Sequence, residues 1–236
     1  QDAQLRSEIY TVSELQGQPA TVSAGGLTPG NRELVTLEND TAFHAGASER
    51  GVRRLVIIGG LSGDVESAYL ALDAVRWFKE DASAGDRSTW AVSALPLANP
   101  AAVGDLAEQT YPPSDGYFNA AEQPESRYLW RWVTYQAPDL VVVVEAGSDW
   151  SVTDSESKFL RALEGPRNEE QLAGGQTLHV QAPRGDAGRI VRTAMASALE
   201  GESQLRQRMQ ARIQQRVQTP FLTFLSACPD ATSEHP

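Results

Sequence analysis

Three residues of this sequence have side chains that could perform nucleophilic chemistry together: Ser62, Glu145 (or Asp149 in its place) and His179. A serine hydroxyl is a weak nucleophile until a base within hydrogen-bond reach takes its proton, and a carboxylate must orient that base. The chain order serine, acid, histidine is one in which such triads occur. Ser62 stands in Gly60-Leu61-Ser62-Gly63-Asp64, a strand-to-helix turn that lacks the second glycine of a nucleophile elbow. The competing reading is a serine that serves the start of a helix.

A second set is built of carboxylates. Asp64, Glu66 and Glu145 could gather around a cation, but the first two also suit a helix start, where acids cap free amides and complement the dipole. Glu145 ends an apolar run, and a carboxylate there must be solvated, paired or ligated. The plain alternative is an acid facing an open cleft and paired with an arginine. Histidine occurs three times, at 44, 179 and 235, and cysteine once, at 228. No His-x-x-x-His pair or cysteine cluster is present, so the sequence offers no dedicated transition-metal motif. Asn99, Asn119 and Asp149 are the remaining polar candidates for a cleft.

The elements that must position these groups alternate. Leu55 to Ile58 reads as a buried strand closed by Gly59-Gly60, and Asp64 then caps a helix with Val65, Ala68, Tyr69, Leu72 and Val75 on one face. Trp90 to Leu97 is a second strand, stopped at Asn99-Pro100. Pro124-Glu125-Ser126 opens a helix with Tyr128, Leu129, Trp132 and Val133 inward. Leu140 to Val144 is apolar throughout, as in a parallel sheet covered on both faces. A helix over Ser155 to Leu163, a strand over Gln176 to Gln181 and an amphipathic helix marked by Ile190, Val191, Ala194, Met195, Ala198 and Leu199 complete the pattern. The order implies a mixed, mostly parallel α/β sheet with helices on both faces, and ligands beyond the carboxyl ends of its strands. The loops 59–66, 97–104 and 145–150 are therefore the expected borders of a site.

Residues 1–50 are rich in small polar types and read as an irregular segment, with a short strand at Glu33 to Leu37. The α/β domain is expected over 51–220 and a tail over 221–236. Within 202–218, Leu205, Met209, Ile213 and Val217 recur every four residues beside Arg208, Arg212 and Arg216. That is a surface helix or an oligomer contact. A net charge of -11 argues against general nucleic-acid binding, and no apolar run approaches a membrane span. The start at Gln1, low cysteine use and a polar opening stretch lead to the expectation of an exported protein.

Taken in order, these segments resemble zinc metallocarboxypeptidases and their acylase relatives. The strand, Gly63-Asp64 and helix are similar to that family's first metal loop, Ala98-Asn99-Pro100 to its Asn-Pro turn, and Pro124 to Arg127 with Pro138-Asp139-Leu140 to the segment before its last metal ligand. The resemblance covers roughly residues 53–150 and implies the carboxypeptidase fold and, for the family, zinc. Laid on its pattern, the loop histidine falls at Ser62, the loop glutamate at Val65 and the later histidine at Glu145 or its neighbour. On the strand where the family carries its catalytic glutamate this chain offers His179. The expectation is a domain that has lost zinc and peptidase activity and holds a peptide, cell-wall fragment or protein partner in the former cleft. A hydrolase with a rearranged site at Ser62, Glu145 and His179 and a purely structural module are the alternatives.

Overall fold

The computed structural model describes residues 2–28, 30–40, 51–102, 104–113, 124–153, 157–164, 176–201, 203, 207 and 210. Two compact units are present, Gln1–Met195 and Ala196–Pro236, and the sheet belongs to the first. The expected arginine-flanked helix over 202–218, together with Asn119, His44, His235 and Cys228, lies outside the described residues apart from helical residues 203, 207 and 210.

Seven strands form one sheet in the order β1-β2-β4-β3-β5-β7-β6. They are β1 (Ala20–Leu27), β2 (Glu33–Asn39), β3 (Arg53–Ile58), β4 (Trp90–Leu95), β5 (Leu140–Ala146), β6 (Ser151–Thr153) and β7 (Gln176–Ala182). The neighbours β4, β3, β5 and β7 are parallel, whereas β1 with β2, β2 with β4, and β6 with β7 are antiparallel. Two reversals return β1 to the direction of the central four. The sheet is thus mixed and mostly parallel, as the alternating pattern implies.

Its centre is buried on both faces. Val56, Ile58, Val141 and Val143 turn toward one core with Leu129, Trp132 and Val133 of helix α4 (Pro124–Gln136) and Phe159 and Leu160 of α5 (Lys158–Glu164). By strand alternation Leu55, Ile57, Leu140 and Val142 face the other side, where α2 (Val65–Glu80) packs. The helix that begins at 187, α6, rests on α2 so closely that a side chain at Gly188 would lie 2.5 Å from Trp77. Among the described residues no helix is long and apolar enough to cross a membrane.

The segment before residue 51 departs from the irregular reading. It supplies α1 (Asp2–Glu14) and the strands β1 and β2, which extend the sheet on one side. Helix α1 buries only Leu5, Ile9 and Val12, a stripe too thin to stand out among its polar neighbours. Its docking is polar as well as apolar. Lys79, in the last turn of α2, is buried and donates from Nζ to the carbonyls of Val12 at 3.0 Å and Ser13 at 2.8 Å. A cation is favoured there because it meets carbonyls at the C-terminus of α1, the negative end of the helix dipole. A second helix missing from the sequence reading, α3 (Ala84–Thr89), is capped by Ser83 and leads directly into β4.

Lys79→Met keeps the aliphatic stem and removes both bonds to the end of α1. We expect a loss of about 1–3 kcal/mol, measured by urea denaturation, with near-native secondary structure retained. A change within about 0.3 kcal/mol would mean that the Lys79 bonds contribute nothing to the docking of α1.

Candidate functional site

The carboxyl ends of β3 and β5 are the natural place for a site. From β3 the chain moves to β4 on one side of the sheet, while β5 lies on the other, so the loops leaving β3 and β5 diverge. A cavity of ≈ 530 Å³ opens there. Gly60 to Ser62 and Ser67 form one wall, and Asp105, Ala107, Glu108, Ser157 and Leu160 the other. Val143, Val144 and Glu145 of β5, His179 of β7 and Thr153 of β6 also line it.

The first wall is fixed by local chemistry. Asp64 has extended backbone geometry and its carboxylate accepts the amides of Glu66 and Ser67, which makes it the N-cap of α2. The Ser67 hydroxyl donates to Asp64 Oδ2 at 2.6 Å and accepts the amide of Ala146 at 2.9 Å. One buried hydroxyl thus joins the start of α2 to the end of β5. Burial alone raises the Asp64 pKa, but the Ser67 hydroxyl and the amides of Ser67 and Glu66 outweigh it, and the group lies below its ordinary value.

Asn99 clasps the neighbouring loops. It is fully buried, and its Nδ2 donates to the carbonyls of Leu61 at 3.1 Å and Gly104 at 2.6 Å. The turn beneath Ser62 needs glycine: Gly60 and Gly63 have φ of 60° and 86°, and a side chain at Gly63 would meet Ala102 at 2.7 Å. Across the cavity, Lys158 donates to the Glu108 carbonyl at 3.0 Å and ties α5 to the turn at Leu106–Glu108. Tyr111 packs edge-on against Phe159, with ring centroids 5.0 Å apart, and donates to the Leu106 carbonyl. Burial, with the charge of Asp105 second, pushes its hydroxyl pKa up.

Ser62, Glu145 and His179 therefore share one cavity. Their bonding is not that of a serine triad. His179 Nε2 lies 3.2 Å from Glu145 Oε2, and Nδ1 lies 3.4 Å from Thr153 Oγ1. Both ring nitrogens are engaged by groups on the sheet, because Thr153 is the cross-strand partner of His179 and Glu145 sits diagonally from it. Among the described residues no hydrogen bond joins Ser62 to His179. The other sequence candidates stand outside the lining: Asp64 and Asn99 brace the loops, Glu66 is exposed 3.8 Å from Arg184, and Asp149 accepts the Ser148 hydroxyl at 2.8 Å. Sequence reasoning passed over Thr153, Ser157, Asp105 and Ser67. Of these only Ser67 carried a signal, since it occupies the third helical position after the cap.

Among the described residues, the donors that line the cavity do not form a zinc-ligand set. The position that the resemblance gives to a loop histidine is a serine, the loop glutamate is a valine, and Glu145 is paired with His179. Among the described residues no group of three or more His, Cys, Asp or Glu is placed to hold a metal ion.

No protein-family profile matches the sequence, and no curated protein matches it. Solved structures do. A metallo-carboxypeptidase from Burkholderia cenocepacia is similar at a TM-score of 0.52 and 16% identity, over 75% of this chain and 58% of its own. A protein assigned as a carboxypeptidase from Burkholderia mallei gives 0.52 at 14% identity, with the same 75% and 58% coverage. One assigned as carboxypeptidase A from Shewanella denitrificans gives 0.50 at 14%, over 76% and 59%. The chain thus spans less than two thirds of each. At these identities the likeness is one of fold, and the fold is the mixed α/β sheet of carboxypeptidases.

Ser67→Ala removes the link between α2 and β5 and is expected to cost about 1–3 kcal/mol, read by thermal or denaturant unfolding. Asp64→Asn tests the cap by pH. Because the folded-state pKa of Asp64 is depressed, its contribution is complete above the ordinary carboxylate range and vanishes as pH falls through the folded value. The stability gap between wild type and Asp64→Asn should therefore narrow on acidification. A gap independent of pH would show that the carboxylate charge contributes nothing.

Proposed function

We propose that this chain is a carboxypeptidase-fold domain that has lost zinc and peptidase activity and uses the cavity beyond β3 and β5 to bind a ligand, a peptide or cell-wall fragment fitting its size. The fold carries the likeness to carboxypeptidases, and fold alone does not carry their chemistry. The observation that supports the reading most directly is the exchange at the ligand positions. Ser62 and Val65 stand in the loop, and the carboxylate of Glu145 is taken up by His179. Catalytic zinc needs three protein ligands and an open position, and these side chains do not supply them.

What remains suits binding. The cavity joins apolar surface from Leu61, Val143 and Leu160 to hydroxyls of Ser62, Thr153 and Ser157 and to the Glu145–His179 pair. A mainly apolar pocket with a few convergent polar groups is the usual form of a small-ligand site. The alternative of a rearranged serine hydrolase needs the Ser62 hydroxyl at a ring nitrogen of His179, and Thr153 and Glu145 occupy those places.

Titration calorimetry with Zn²⁺, joined to elemental analysis, tests the first half. No stoichiometric tight zinc is expected, and a tight one-to-one complex with metal-dependent release of C-terminal residues would sink the proposal. For the second half, a panel of peptides and peptidoglycan fragments is screened against wild type and Ser62→Trp, whose indole fills the mouth of the cavity. Saturable binding without turnover, lost in the variant, is the expected result. Binding that Ser62→Trp leaves unchanged would move the ligand elsewhere.

A further inference from the structure

The Glu145–His179 contact has a third member. Thr153 and His179 are direct cross-strand partners in β6 and β7, and Glu145 lies two residues along β5 from Val143, the other partner of His179. Alternation along each strand therefore brings all three side chains to one face of the sheet, and all three line the cavity beyond β3 and β5. His179 Nε2 stands 3.2 Å from Glu145 Oε2, and Nδ1 stands 3.4 Å from Thr153 Oγ1. Acid, imidazole and hydroxyl thus form one continuous chain across three strands.

The order of the partners fixes where the ring proton sits. An ionised carboxylate only accepts, so the nitrogen that meets Glu145 must be Nε2–H. In the neutral ring the lone pair is then left on Nδ1, where it faces the Thr153 hydroxyl. A hydroxyl donating to an imidazole that a carboxylate orients is the arrangement that activates a nucleophile. The 3.4 Å separation belongs with the long contacts that such sites show before a substrate tightens them. The remaining acids of the cavity are held on its opposite wall: Asp105 accepts the Ala107 amide at 2.8 Å, and Glu108 lies 3.8 Å from Lys158. Asp154 and Glu156 follow Thr153 in the chain, outside the described residues, and as carboxylates they offer Nδ1 no proton. Thr153 itself is exposed, which leaves its oxygen open to an incoming carbonyl.

We propose that Thr153 is a nucleophile for acyl transfer, with His179 as its general base and Glu145 positioning the ring. The substrates are esters or thioesters whose apolar acyl group rests on Leu61, Val143 and Leu160 of the same cavity. As Oγ1 bonds to the acyl carbon, its proton passes to His179 Nδ1. The bond from that carbon to the leaving oxygen or sulfur breaks, and the alcohol or thiol departs with the proton. Acyl-Thr153 remains, no redox partner enters, and water taking the same route releases the acid. The inference shares the cavity of the proposed binding function and goes beyond it. Peptide amides stay uncleaved, because an amide nitrogen leaves far less readily than an ester oxygen or a thiolate.

An alkyl fluorophosphonate, which traps an activated hydroxyl by loss of fluoride, is incubated with the full chain, and tandem mass spectrometry locates the adduct. Labelling at Thr153 is expected, abolished in Thr153→Val and kept in Thr153→Ser. His179→Gln should slow it on the order of a hundredfold or more, the range a general base supplies. Independently of any variant, ring-nitrogen NMR shifts should report His179 as the Nε2–H tautomer. No adduct, an adduct on Ser62 or another residue, unchanged labelling in His179→Gln, or the Nδ1–H tautomer would each overturn the proposal. The binding function is judged separately. An unlabelled chain that binds peptide and no zinc removes only the Thr153 chemistry, and a chain labelled at Thr153 that takes up zinc tightly overturns only the loss of zinc.

Discussion

Among the described residues, the closest approach of a glycine to other backbone is the crossing at Gly59, where the end of β3, the first turn of α2 and the exit of β4 meet. A side chain there would lie 2.5 Å from the carbonyl of Ser67 and 2.6 Å from that of Pro96, distances no methyl group can occupy. Because Gly59 also bonds Leu95 through its amide and Ala98 through its carbonyl, the end of β3 and the exit of β4 are fastened by backbone alone, with α2 packed against them. The Ser67 hydroxyl extends the same knot to Ala146 at the end of β5. The cavity is what this knot leaves open. Its first wall is the loop that Gly60 and Gly63 allow to turn back, and its floor is the end of the strand that Ser67 holds in place.

Glu145 shows what such a scaffold does to a side chain. Five residues of β5 before it are buried, so the strand can carry a carboxylate only where it emerges, and Glu145 is 52% exposed in the cavity. An acid at this point has three outlets: water, a cation or a hydrogen-bond donor. Here β7 provides the donor. His179 approaches from the adjacent parallel strand, and Thr153 from β6 takes the other side of its ring. The geometry is that of a sheet surface completing its own polar contacts, which is a different arrangement from side chains converging on a common point in space.

The sheet centre was legible because β3 and β5 are continuous apolar runs and α2 and α4 have clear helical stripes. The Asp64 cap was legible for the same local reason. What failed to show was whatever depends on distant partners. Helix α1 is held by three apolar residues and by Lys79, 66 residues away from Ser13, and no window of sequence contains that pairing. Strand β1 alternates only through the small residues Ala20, Val22 and Ala24 before Gly25-Gly26 breaks the pattern, and it owes its shape to β2 on one side and to Tyr128 and Trp132 above. The cavity residues divide in the same way. Ser62, Glu145 and His179 could be placed at strand ends from topology, whereas Thr153 and Asp105 gain their position from pairing and loop closure that the sequence does not display.

The same physical account explains how the loop after β3 holds its shape with Ser62 and Val65 in it. Where a metal organises its own site, removing the ligands removes folding energy. In this chain contacts within the protein organise the loop bearing Ser62. Asp64 satisfies the first amides of α2, Asn99 spans from Leu61 to Gly104, and the Leu106 amide closes on the Leu61 carbonyl. None of these contacts passes through the side chain at 62 or 65. Those two positions are free to vary without loosening the loop, while Gly59, Asp64, Ser67 and Asn99 are not. A scaffold held in this way keeps its cavity whatever side chains stand at 62 and 65, so the shape of the cavity and the chemistry of its lining are set by different residues.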